Sequence, residues 1–230
     1  MSAFSPETID FLWALRLNNN REWFQANKST YEAQLQQPIR QISTQVYDVV
    51  NAAHPGLSLN LHISRIYRDA RRLYGRGPFK DHLWFTLERP AEDHSAQPAF
   101  YFTISPDRYG YGMGFYDARA AVMQVYRADI DRAPQKALAL AERFAAQDRF
   151  QLCGPLYARS KGGPGGLLDP WYNRRSIDLG YEHAPDAALF SSDLAQEIID
   201  GFEFLMPYYE WLSGIAARAA ADGRDDVHDI

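Results

Sequence analysis

Past His54-Pro55-Gly56 the spacing of apolar residues changes from a helical to a strand-like period, and this switch limits the folds open to the chain. Before it, Ser5, Pro6 and Glu7 read as an N-cap, an N1 proline and a first-turn acid. The helix they open turns Ile9, Phe11, Leu12 and Leu15 inward and ends near the Asn18-Asn19-Asn20 triplet. Asn20 can cap a second, short helix carrying Arg21, Glu22, Trp23 and Phe24. A longer helical tract runs from Ser29 to about Ala53, with Ile39, Ile42, Val46, Val49 and Val50 as its stripe. Pro38 either divides that tract or sits in the first turn of its second half. After the switch come four strand candidates, 59–68, 83–89, 99–105 and 109–116, joined by turn-rich sequence. Ser105-Pro106-Asp107-Arg108 predicts a tight turn between the last two. The expected class is α+β, with a central antiparallel sheet of four or more strands flanked by N-terminal and C-terminal helices.

In the fourth strand, Tyr109-Gly110-Tyr111-Gly112-Met113-Gly114-Phe115, glycine falls at every second position. Strand side chains alternate, so one face carries large groups and the other is nearly bare. A helix packed closely on that bare face is the preferred reading, and a floor for a ligand is the sharper one. A dinucleotide fingerprint is excluded, because its third glycine would fall at Phe115. Further on, Asp117 can cap a helix reaching about Asp129, and Pro134 opens another with Leu138, Leu140, Ala141 and Phe144. Strands are expected at 150–157 and 174–181, separated by the glycine-rich loop 160–166, a connection or a mobile lid that lacks the Gly-Lys-Ser/Thr of a P-loop. Ser192 and Asp193 open the last helix, which Pro207 should kink or split, and residues 222–230 should fray. Neither a repeat nor a linker interrupts the pattern, so one domain spanning 1–230 is expected.

Charge is distributed unevenly. Residues 61–82 hold six cations (Arg65, Arg68, Arg71, Arg72, Arg76 and Lys80) against Asp69 and Asp81, a local +4 in a chain of formal net charge −5. An acidic protein with one cationic island is a poor match for wholesale nucleic-acid binding, which needs a basic face across much of a domain. It suits one local anionic ligand. The single cysteine, Cys153, excludes an intrachain disulfide, and its neighbours Leu152 and Gly154 suggest a buried small hydrophobe. The N-terminal segment lacks a signal-peptide layout, and no apolar run approaches the roughly 20 residues that span a bilayer. A cytoplasmic protein with no membrane contact is expected.

Within the island, Arg65 and Tyr67 should point to one face and Arg68 to the other. Guanidinium forks two donors toward a carboxylate or phosphate, which fits Arg65 and Arg68, with Lys80, as ligand-binding cations. The competing reading neutralises these arginines internally, with Arg68 paired to Asp69 or Glu22. Arg71, Arg72 and Arg76 read as a solvated hairpin tip. His82, whose ordinary pKa lies near neutrality, or Asp69 would move a proton if there is chemistry. Tyr67 and Tyr101 can supply hydroxyls, and Arg21 or Glu22 could reach the site from the second helix. The six histidines are scattered without metal-ligand spacing, so no metal site is expected and no cofactor is identified.

FLWALRLNNNREWFQANKSTYE (11–32), ISRIYRDAR (63–71), PFKDH (78–82), YGMGFY (111–116) and MPYYEWL (206–212) resemble, in order, a bacterial family of conserved hypothetical proteins, domain of unknown function 2461. Arg72 stands where the family favours an aromatic and Asp117 where it favours proline. The resemblance implies a single α+β domain and supplies no activity. It points to Asn20, Arg21, Glu22, Arg65, Tyr67, Arg68, Asp69 and Lys80 as positions to test.

The functional expectation is a basic pocket for a small anionic ligand, phosphate esters included, with acid/base chemistry by His82 or Asp69 if a reaction takes place there. The alternative is a non-catalytic module whose basic hairpin docks an acidic protein or single-stranded nucleic acid through Arg and Tyr. A third reading makes the charges a structural network.

Overall fold

The structure, a computed structural model, describes residues 4–73, 75–90 and 97–225. Five N-terminal segments are helical: α1 (Pro6–Leu17), α2 (Arg21–Ala26), α3 (Lys28–Tyr31), a π-helical turn over Glu32–Gln36, and α4 (Gln37–Ala53). The strands are β1 (Asn60–Ile63), β2 (Leu83–Glu88), β3 (Ala99–Ile104), β4 (Tyr109–Gly114), β5 (Gln151–Cys153) and β6 (Asp178–His183). Helices α5 (Ala120–Arg132) and α6 (Pro134–Ala145) follow β4, α7 (Asp169–Tyr172) precedes β6, and α8 (Leu194–Asp225) closes the described chain. Among the described residues the six strands form one antiparallel sheet in the order β1-β2-β3-β4-β6-β5, in an α+β arrangement.

The helical punctuation follows the local chemistry. Asn20 accepts a hydrogen bond from the Trp23 amide (2.9 Å), satisfying a donor that the start of α2 leaves open. Pro38 falls in the first turn of α4, where its missing N–H costs little, and the tract stays helical through it. Val49, expected on the buried stripe of α4, is 46% exposed, while Ile39, Ile42, Val46 and Val50 are buried.

Cα packing divides the chain into two compact units, one of Met1–Leu87, Tyr101–Tyr111 and Glu182–Gly201, the other of Glu88–Phe100, Gly112–Tyr181 and Phe202–Ile230. The first has an aromatic core: Phe85 stacks on Phe102 (5.5 Å), Phe102 on Phe4 (5.8 Å), and Phe24 on Phe79 (4.0 Å). In the second, Phe100 packs on Phe202 and Tyr209 (4.8 and 4.6 Å), and Trp171 stacks on Tyr208 (6.1 Å).

Several expectations are corrected. At Gly114 the bare face of β4 meets the backbone of Ile177 and Asp178. A Cβ there would lie 2.5 Å from the Ile177 carbonyl oxygen and 2.6 Å from Asp178 Cα. Such a contact leaves space for no residue but glycine. The helix expected from Asp117 begins at Ala120, with Arg119 as its N-cap. The strand expected at 150–157 shrinks to β5, because Gly154 takes φ +100 beneath the Ser176 carbonyl and turns the chain away. Cys153 is half-buried rather than enclosed. The loop 160–166 is pinned by Asn173, whose side chain accepts from the Lys161 amide (2.7 Å) and donates to the Gly162 carbonyl (3.2 Å). Leu138 is 37% exposed on α6, where Ala137, Ala141 and Phe144 face inward. Helix α8 continues across Pro207, held by burial of Leu205, Met206, Tyr208 and Tyr209 on both sides of it, and extends to Asp225 into the expected tail. Residues 226–230 of that tail lie outside the described residues, as does the side chain of Arg72.

Candidate functional site

The basic stretch folds back on itself within the first unit. Ser64 and Trp84 exchange bonds, the Ser64 amide donating to the Trp84 carbonyl (2.9 Å) and the Trp84 amide to Ser64 Oγ (3.0 Å). The Lys80 amide donates to the Ile66 carbonyl (2.7 Å), the Arg68 amide to the Pro78 carbonyl (2.9 Å), and Tyr67 bridges Phe79. Ile66 and Phe79 are buried, and Phe79 lies flat against Phe24 of α2. Side chains of an extended chain alternate, so burying Ile66 turns Arg65 and Tyr67 outward; Tyr67 is 59% exposed. The regular strand ends at Ile63, earlier than expected, yet this alternation persists beyond it.

Asn19 fixes the returning arm. Its side-chain amide donates to the Phe79 carbonyl (2.9 Å), and its Oδ1 accepts from the Phe79 amide (3.0 Å). Directly after that clamp come Lys80, Asp81 and His82. Asp81 is the hub: Arg16 Nε lies 2.6 Å from its Oδ2, with His82 Nδ1 and Arg68 Nη2 at 3.2 and 3.6 Å from its Oδ1. Arg16 also reaches Asp107 in the β3–β4 turn (2.7 Å) and places its guanidinium 4.8 Å above the Trp13 ring. Arg68 commits Nε to the Phe79 carbonyl (2.8 Å). Burial pushes the Asp81 carboxyl up, but bonds from Arg16, His82 and its own amide, with the Arg16 charge, hold it below the ordinary carboxylate value.

Lys80 and His82 are placed differently. Among the described residues Lys80 makes no ion pair; its ammonium lies 5.8 Å above the Trp84 ring, which His62 approaches from 5.2 Å. Burial, then the charges of Arg68 and Arg65, lower its pKa. Burial also lowers that of His82, outweighing Asp81, with Lys80 and Arg68 adding to the fall. A neutral His82 ring donates from Nδ1 to Asp81 and keeps a lone pair on Nε2, the arrangement of a proton acceptor oriented by a carboxylate. Phe85 and Phe102 stack on the buried side of the sheet, so Trp84 and Thr86 of β2 share the opposite side with Tyr101 and Thr103 of β3.

Of the residues singled out from sequence, Arg68 and His82 therefore meet at Asp81, Lys80 lies over Trp84 where the charges of Arg68 and Arg65 act on it, and Tyr101 lies on the sheet side that carries Trp84. Tyr67 sits beside Phe79, 5.2 Å away. Arg68 pairs with Asp81, not with the expected Asp69 or Glu22. Asp69 is occupied at the tip: it caps the turn at Ala70–Arg72, accepting from the Arg71 amide (3.0 Å) and holding the Arg71 guanidinium (2.9 Å). Arg21 and Glu22 are exposed in the first turn of α2, and no contact brings either to Asp81. Arg71, with a side chain 88% exposed, belongs to the outer tip as expected. Sequence reasoning missed Arg16, Asn19 and Asp107. The available signal for Arg16 was an arginine set between Leu15 and Leu17 in an apolar helix.

Among the described residues no cluster of three His, Cys, Asp or Glu side chains is placed to hold a metal, and no helix is long and apolar enough to cross a membrane.

The family model of a conserved hypothetical protein (DUF2461) matches residues 7–211, most of the chain. The chain belongs to this family, whose description names no activity. No curated protein matches it.

Proposed function

We propose that this DUF2461 member binds a small anionic ligand, phosphate esters included, on the half-open face around Trp84. Arg65 and Lys80 receive the charge, Arg68 supports them from the Asp81 hub, and Tyr67 and Tyr101 offer hydroxyls. His82, oriented by Asp81, is the group able to move a proton; Asp69 remains at the tip as the cap of its turn. One observation carries this reading: Arg65 and Lys80 lack a carboxylate partner among the described residues, although Asp81 is close enough to bind their neighbours Arg68 and His82. A protein that only neutralised its own cations would have closed that deficit at Lys80, since a half-buried cation without counter-charge is costly.

Thermal shift against inorganic phosphate and a panel of phosphorylated metabolites tests it. A ligand at a hundredfold excess over its Kd stabilises by about 2.7 kcal/mol, a shift of several degrees in a chain of this size. Arg65→Ala should lose the shift while keeping the unliganded melting temperature, because Arg65 is exposed and makes no ion pair among the described residues. If every compound leaves the melt unchanged and single-stranded DNA binds with a steep salt dependence instead, the exposed tip around Arg71 and Tyr67 is a docking surface.

A further inference from the structure

A second cationic segment lies in the second unit, where residues 155–175 carry Arg159, Lys161, Arg174 and Arg175 against one acid, Asp169. Its middle is the glycine-rich loop, and that loop is held in place. Asn173 accepts from Ser160 Oγ (3.1 Å) and from the Lys161 amide, and donates to the Gly162 carbonyl. The Tyr157 amide donates to the Asn173 carbonyl (3.0 Å). Two cations then meet at Tyr157 from different elements. Arg127 of α5 donates from Nη1 to the Tyr157 hydroxyl oxygen (3.2 Å), its guanidinium carbon 5.2 Å from the ring centre, and the Lys161 ammonium stands 4.7 Å from that centre. A guanidinium only donates, so the hydroxyl accepts here and its own hydrogen is left for a further acceptor. Among the described residues neither cation makes an ion pair. A carboxylate stood within helical reach: Asp131 follows Arg127 by one turn of α5, yet it takes the Tyr172 hydroxyl (2.9 Å) instead. Fastening the loop does not require the two charges either, because Asn173 already does that.

We propose that this loop is a docking surface for an acidic segment of a partner protein. One carboxylate is forked by Arg127 and takes the Tyr157 hydroxyl hydrogen, a neighbouring carboxylate rests on Lys161, and an adjoining apolar side chain covers Leu156, which is exposed beside Tyr157. Every group offered at the ring is a donor, so the occupant has to supply acceptors and negative charge. The positive charge is spread along one ring, Arg127 at its hydroxyl end and Lys161 over its face, which suits separate single charges better than one compact dianion. Lys161, Arg159 and Leu156 are all exposed, and a surface of that kind fits a peptide rather than an enclosed small molecule. The pinned loop presents its cations already positioned, so little ordering is left to be done on binding. The proposal is independent of the anion-binding reading of the first unit.

Fluorescence anisotropy on the full chain tests it, with a short labelled peptide built on Asp-Leu-Asp, its Lys-Leu-Lys counterpart, and labelled single-stranded DNA. The acidic peptide should bind, more weakly as salt is raised, and the basic peptide should not. Lys161→Glu should weaken binding by about tenfold or more, since a like charge then faces the peptide. Combined with Arg159→Glu it should transfer binding to the basic peptide; both positions are exposed, so the fold tolerates the pair. Tyr157→Phe keeps the ring under both cations and removes only the hydroxyl, and it should cost about tenfold, as loss of a bond to a charged group does. Arg71→Glu, in the other basic segment, should change nothing. Four results overturn the proposal: no binding of the acidic peptide, binding lost in Arg71→Glu rather than in Lys161→Glu, DNA bound as tightly as the peptide, or indifference to Tyr157→Phe. Because no phosphate is used, the outcome leaves the reading of Arg65 and Lys80 to its own test.

Discussion

Asn19 shows how much one side chain can organise. It reads from sequence as part of a helix-ending triplet, yet its amide holds both backbone groups of Phe79, the residue that precedes Lys80. Gly77 makes room for it, since a Cβ there would collide with the Asn19 side chain and carbonyl. Gly77→Ala should therefore displace the clamp and cost about 1–3 kcal/mol, as overpacking does. Urea unfolding would register this as a lower midpoint at unchanged slope; a midpoint equal to wild type would remove Asn19 from the account. Asn19→Ala should have a comparable cost and also weaken phosphate binding, because Lys80 loses its fixed approach.

Helices α5 and α8 are joined in the second unit by a buried carboxylate. Asp129 accepts from the Trp211 indole N–H (2.9 Å), Arg218 (2.7 Å) and Arg132 (2.8 Å). Burial raises its pKa, but these donors and charges together bring it below the usual carboxylate value. Asp129→Ala would strand the indole N–H inside and remove two charge-assisted bonds, so a loss of about 2–3 kcal/mol is expected. Trp211→Phe should recover part of that loss in the double variant, since the buried indole donor is then gone and the exposed Arg132 and Arg218 can turn to water. Calorimetry on the four proteins would measure the coupling, and strict additivity would refute it.

The same comparison explains what was legible beforehand. Caps, stripes and strand alternation depend on neighbours a few residues away, so α1, α2, α4 and strands β2, β3 and β4 stand in the sequence with small end errors, whereas β1 stops at Ile63, five residues short of its expected end. Pro207 misled because local breaking tendency ignores the buried aromatics that keep α8 in one piece. Partner choice is harder still. Arg68 had Asp69 next door, but Asp81 wins because the folded-back chain sets it on the guanidinium's side while Asp69 turns to Arg71.

For the whole molecule, the hub makes stability depend on acidity. Asp81 has a folded-state pKa below its unfolded value near 3.8, so the unfolded chain binds the proton more readily. Its contribution is complete above that value and is lost as pH falls through the folded-state pKa. Melting temperature measured downward from pH 6 should fall more steeply below about pH 4 in wild type than in Asp81→Asn. Matching profiles would mean that the hub adds nothing to the acid response. His82 works in the same sense at higher pH: its lowered pKa means that protonation below its ordinary value of 6.5 opposes folding, so wild type should gain stability relative to His82→Gln as pH rises toward 6.5 and level off above it.

Asp81 also has a geometric consequence. Its carboxylate draws Arg16 from the first helix, and that same arginine reaches Asp107 in a turn two strands further along. A guest seated beside Lys80 would thus act as a clasp on segments remote in the chain, and loosening the opening helix should release it even with every contacting side chain intact.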